Sequence, residues 1–170
     1  MTRRSVVIGL AVVLTSILML SLGWGLRHAA LSNPPLLGRQ APDLAIETMY
    51  DGKVSVEALR GKPVVLNFWA SWCGPCVDEG GVLANGASAY PDVAFVGADN
   101  RDTTSGFNDF ESQHPHRYPA GPIVSGSYQS YGVAGLPATF FIDAQGIVVA
   151  SFTGPLSQDL LNHYVQLIGP

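Results

Sequence analysis

Only two cysteines occur in this chain of 170 residues, and both lie in one tetrapeptide, Cys73-Gly74-Pro75-Cys76. Two cysteines cannot build the multi-bridge framework of a small disulfide scaffold. No second Cys-x-x-Cys completes a four-thiolate zinc site, and the only other candidate ligands, His114 and His116, stand far along the chain. No metal is expected, and these histidines, like His163, read as solvated. Charge is scarce too, at 13% of residues, and no acid precedes Asp43. Beyond Arg27, six basic residues face thirteen acidic ones, a net charge of −7 with no cluster of Lys or Arg. Phosphate binding needs concentrated positive charge, so nucleic acid is not an expected partner.

What the chain does have is one long uncharged run, Ser5 to Leu26, preceded by Arg3 and Arg4 and followed by Arg27. As a helix its 22 residues would reach roughly 33 Å, enough to cross a bilayer core. The run exceeds the roughly 7–15 apolar residues of a cleaved signal peptide, and the following RHAALSNPP offers a poor cleavage site. The expectation is an uncleaved signal-anchor over residues 1–28, oriented by its flanking arginines. A linker with two prolines follows over 29–37, then one domain over 38–170. That domain is expected outside the cytoplasm.

Within 38–170, strand-like and helix-like stretches alternate. LAIETM and KVSV flank YDG, a hairpin signal. PVVLNFW is a continuous apolar run of strand length, as a buried central strand requires. A helix is expected from Cys73 to Tyr90, then a strand in VAFVGAD and a Thr-capped helix in TTSGFNDFESQ. ATFFID and IVVASF, joined by AQG, predict a second hairpin. The chain closes with a helix capped by Ser157, placing Leu160, Leu161, Tyr164, Val165 and Ile168 on one face. The pattern predicts an α/β fold with a mixed sheet flanked by helices.

A strand running straight into WCGPC and then a helix puts Cys73 at a helix N-terminus. Unpaired N–H groups and the helix dipole favour its thiolate there. A disulfide between residues three apart constrains little of the unfolded chain, so it stabilises poorly and exchanges readily.

GKPVVLNFWASWCGPC, with GLPATFFID some sixty residues later, resembles the thioredoxin superfamily. The closer likeness, from about Gly38 to Gly169 and including the leading hairpin, is to the membrane-anchored TlpA, ResA and DsbE/CcmG thiol–disulfide oxidoreductases. The resemblance implies a thioredoxin-like fold with Cys73 as attacking thiol, Cys76 as resolving thiol and a cis peptide at Leu136–Pro137. It also implies that Trp72 stands at the rim of the site, and that Gly135, Leu136 and Pro137 meet the substrate backbone. No cofactor is implied beyond the redox-active Cys73–Cys76 pair. Asn67 stands where thioredoxin has a buried aspartate, and Glu79 matches an acid that ResA-like proteins hold beneath the dithiol. Lying three residues beyond Cys76, Glu79 is expected to be partly buried, to have a raised pKa and to serve as proton acceptor. Asp78, rotated away, is expected to be a solvated charge. Gly80 and Gly81 weaken the helix, and a bend or fray is expected there. Tyr128 and Tyr131 read as packing residues.

These implications favour a disulfide reductase for exported proteins such as apocytochrome c, re-reduced by a CcdA/DsbD-type membrane carrier. The same fold run as an oxidase is the alternative. A thiol peroxidase is less favoured, because Ala70 stands where that class has Thr or Ser.

Overall fold

The computed structural model describes residues 9, 12–21, 23, 36–49 and 52–169. Residues 12–21 are helical and exposed. Among the described residues no helix is long and apolar enough to cross a membrane. The rest of the Ser5–Leu26 run, and most of the 29–37 linker, lie outside the described residues. A separate compact unit spans Leu36–Pro170.

That unit is a seven-stranded mixed sheet with three α-helices. The strands are β1 (Ala45–Thr48), β2 (Gly52–Ser55), β3 (Val64–Trp69), β4 (Ala94–Asp99), β5 (Ala120–Ser125), β6 (Ala138–Ile142) and β7 (Val148–Thr153). The helices are α1 (Gly74–Ala89), α2 (Thr104–Gln113) and α3 (Gln158–Ile168). Spatial order is β2-β1-β5-β4-β3-β6-β7. The pairs β3–β4 and β4–β5 are parallel and the others antiparallel. β3 is central and wholly buried, as its unbroken apolar run requires.

Alternation along β3 divides the core. Val64, Leu66 and Phe68 join Ile46, Val96, Phe140 and Tyr131 on one face. This face is covered by short 3-10 turns at Glu57–Leu59 and Tyr128–Tyr131 and by Leu36. On the other face Val65 meets Phe95, Phe141 and Leu83 of α1. Leu161, Val165 and Ile168 of α3 complete that layer, with Leu160 and Tyr164 partly buried beside them. The Ser157 hydroxyl caps α3 by accepting from the Leu160 N–H, and the Thr103 hydroxyl caps α2 from the Gly106 N–H.

Three findings depart from expectation. α1 runs unbroken through Gly80 and Gly81, and nothing in the structure explains the two glycines. His116 is not solvated: its ring lies 4.5 Å from that of Trp69 and pairs with Glu111, whereas His114 is exposed. β5 is a strand beyond those expected, and its AGPIVS carries a Gly and a Pro that weaken strand character. It forms because β4 and β1 supply partners on either side.

Gly121 in β5 is required by that arrangement, since a Cβ there would lie 1.9 Å from the Glu47 backbone carbonyl oxygen. The obstacle is backbone, which cannot swing away. Gly121→Ala should therefore cost about 3 kcal/mol or more. Urea denaturation should show a lowered midpoint, and an unchanged midpoint would contradict the β1–β5 packing.

Candidate functional site

β3 ends at Trp69 and the chain turns through Ala70–Trp72 into α1. Ser71 is pinned there, its N–H donating to Asp102 Oδ2 at 2.7 Å. Cys73 is the N-cap of α1 in extended conformation, and Pro75 occupies the first turn, where its missing N–H is harmless. The Cys76 and Val77 N–H groups turn back to the Cys73 carbonyl oxygen. Cys73 and Cys76 form a disulfide, with Cα atoms 5.3 Å apart.

Below the disulfide, α1 buries one stripe: Cys76, Glu79, Leu83 and Gly86. Glu79 is only 1% exposed. Asn67 Nδ2 donates to its Oε1 at 2.8 Å, and the Leu156 N–H donates to its Oε2 at 2.8 Å. The same Asn67 amide also donates to Thr139 Oγ1 at 3.0 Å. One carboxyl thus joins β3, α1, β6 and the loop after β7. Burial pushes its pKa up to about 7, against the opposing pull of the Leu156 and Asn67 donors. Asp78 is exposed.

Above the disulfide lies a cleft of about 520 Å³, lined by Cys73, Trp72 and the Gly135–Leu136 loop, with Asn100, Arg101 and Tyr128 opposite. Cys73 lines it and Cys76 does not. Trp72 is 63% exposed, a rim residue and not core. The Leu136–Pro137 peptide is cis, and Leu136 packs against the cluster holding both cysteines. The structure places Cys73 and Cys76 in the disulfide, Trp72, Gly135 and Leu136 along the cleft, Pro137 at the cis bond, and Glu79 on the buried stripe of α1.

Sequence reasoning missed Arg101, Tyr128 as a cleft residue, and Asp99. Asp99 is buried at the end of β4, where burial, Asp102 and Glu111 push its pKa up to about 7. The available signal was positional: ligands of parallel α/β sheets gather at the carboxyl ends of the strands, and β3 and β4 end here.

A disulfide at a strand-to-helix junction, packed against the loop that carries the cis proline on a mixed sheet, defines a thioredoxin-like thiol–disulfide oxidoreductase. The chain belongs to the AhpC/TSA family, whose pattern matches residues 37–151. Thiol-disulfide oxidoreductase ResA of Bacillus anthracis is 30% identical over 140 residues, covering 79% of each chain. A solved structure assigned as the thiol:disulfide interchange protein DsbE of Chlorobium tepidum is 29% identical, with a TM-score of 0.70 over 76% of this chain and 95% of its own. A secreted disulfide oxidoreductase of Mycobacterium tuberculosis, homologous to E. coli DsbE, is 29% identical with a TM-score of 0.62, covering 72% and 93%.

A pKa raised from 4.5 to about 7 means that native Glu79 keeps a proton which the unfolded chain releases. Its contribution to stability is complete below about 4.5, falls as pH rises and is gone above about 7. Wild type should therefore lose about 3 kcal/mol more than Glu79→Gln between pH 4.5 and 7.5. Chemical denaturation across that range checks it, and parallel profiles for the two proteins would refute the assignment. Asp78→Asn should parallel wild type.

Proposed function

We propose that the protein is a membrane-tethered disulfide reductase for exported proteins, with apocytochrome c as the leading substrate. The observation that carries the exchange reading is the Cys73–Cys76 disulfide, with Cys73 alone lining a cleft beside the cis-proline loop. In the reduced protein the Cys73 thiolate, favoured by the α1 N-terminus, attacks one sulfur of a substrate disulfide. The other substrate sulfur leaves as a thiolate, and a mixed disulfide remains. Cys76 then attacks the Cys73 sulfur, displacing the second substrate sulfur as a thiolate and re-forming the internal disulfide. Two electrons pass from the dithiol to the substrate, and a CcdA/DsbD-type membrane carrier returns them.

Cys76 must lose its proton to attack. Asn67 supplies no base, whereas Glu79 follows one turn later on the same buried stripe. With a pKa near that of neutral solution, Glu79 accepts the proton. Ionised Glu79 in turn disfavours the Cys76 thiolate, so the two titrate together. Trp72 and the backbone of Gly135–Pro137 hold the substrate as an extended strand.

By analogy with the family, Gly-Pro between the cysteines supports the reducing direction, and the uncharged run Ser5–Leu26 supports the location. Extracytoplasmic placement also fits the secreted relative from M. tuberculosis. Titration of the full-length protein in dithiol–disulfide buffers should give a midpoint of about −230 mV or lower, and a value near about −120 mV would make it an oxidase.

The roles of the two thiols and of Glu79 are read from adducts. Cys76→Ser should accumulate mixed disulfides on Cys73, recovered in alkali-washed membranes and released by reductant. Glu79→Gln should form the same adducts and resolve them more slowly, by roughly a hundredfold or more near neutral pH, as loss of a general base predicts. Adducts that need Cys76 in place of Cys73 would reverse the assignment. Wild-type resolution rates in Glu79→Gln between about pH 5 and 9, the range these groups span, would remove Glu79 from the mechanism.

A further inference from the structure

Arg101 follows the carboxyl end of β4 and lines the cleft that holds Cys73. Among the described residues it is the one non-glycine residue with positive φ, 65°. That region is disfavoured for a residue with a Cβ, and such outliers gather where function holds them. The backbone here presents the side chain to Tyr128, with the guanidinium carbon 5.0 Å from the ring centre, a cation–π contact.

No carboxylate oxygen forms an ion pair with this cation among the described residues, although Asp99 and Asp102 line a neighbouring groove with it. Neighbouring Asp102 accepts hydrogen bonds from the Ser71 and Thr103 N–H groups. Among the described residues the one ion pair is Glu111–His116, so no carboxylate pairs with Arg101. None of the described residues lining the cleft is acidic, although the chain beyond Arg27 carries a net charge of −7. A guanidinium stacked on Tyr128, in a cleft that also holds Cys73 and is otherwise apolar or uncharged, matches a carboxylate in bidentate fashion.

We propose that Arg101, oriented by the Tyr128 ring, selects substrate polypeptides carrying an acidic residue beside the cysteine that Cys73 attacks. The inference rests on the exchange reading above and adds a rule for substrate choice. Arg101 takes no part in bond-making. Cys73 sulfur still replaces one sulfur of the substrate disulfide, Cys76 completes the exchange, and two electrons pass to the substrate. Arg101 is a substrate-positioning residue that acts on encounter and alignment.

The test uses the full-length chain in detergent, reduced beforehand and freed of reductant. Its substrates are two peptides, each with one internal disulfide, identical except for Asp or Lys before the first cysteine. Second-order reduction rates should favour the Asp peptide by about two- to fivefold at low salt, the range of an exposed ion pair. Salt should narrow the ratio. Arg101→Asn, which tolerates this backbone conformation, should bring the ratio to about one. Arg101→Lys should keep part of the preference, and Arg101→Glu should reverse it. An unchanged ratio in Arg101→Asn and Arg101→Glu would overturn the proposal. So would equal slowing of both peptides, which would place Arg101's effect on the Cys73 thiolate. Failure of wild type to reduce either peptide would instead bring down the exchange reading, and this inference with it.

Discussion

Holding the Glu79 carboxyl out of water ties together four separate parts of this domain. The carboxyl sits one turn below the disulfide and is held by an amide from β3 and a backbone N–H from the loop after β7. Through Asn67 the same network reaches Thr139, two residues after the cis proline. Burying a charge is costly, so desolvation drives the group towards its protonated form and outweighs the two donors. The network links α1, β3, β6 and the loop before α3 at the depth where the thiols must exchange protons.

The rest of the site follows from strand order. Parallel β3 and β4 end at the same edge, with Trp69 opposite Asp99 in register. The Asn100 N–H donates to the Trp69 carbonyl oxygen, and Asp102 holds Ser71, so the residues after β4 shape the turn that carries Trp72 and Cys73. Trp69 is packed from behind by Phe107 and Phe110 of α2 and by His116. Gly86 lets α1, α3 and β4 come together, because a Cβ there would meet Leu161 at 2.5 Å and Phe95 at 3.0 Å. The chemistry at the helix N-terminus therefore stands on a packed platform.

Much of this was readable residue by residue. The apolar run of β3, the Ser157 and Thr103 caps, both hairpins and the strand-to-helix position of Cys73 all arise from local rules. A side chain's period, its capping hydroxyl or its turn glycine acts within a few residues, so sequence carries it directly. Glu79 was placed by its match to an acid of ResA-like proteins together with its helical spacing from Cys76, which is also local.

β5 was not readable, since Ala120–Ser125 has weak strand character of its own and is strand because β1 and β4 border it. His116 looked like a loop residue, and only packing on Trp69 and pairing with Glu111 buried it. Arg101 and Tyr128 meet across the cleft from distant parts of the chain, so no spacing linked them to Cys73. By itself the sequence determined the elements other than β5 and the place of the cysteine pair at a helix N-terminus, because short-range sterics, hydrogen bonding and periodicity act between near neighbours. Tertiary structure decided which carboxyls lost their water and which charge shares the cleft with Cys73, because desolvation and Coulomb interactions depend on distance in space.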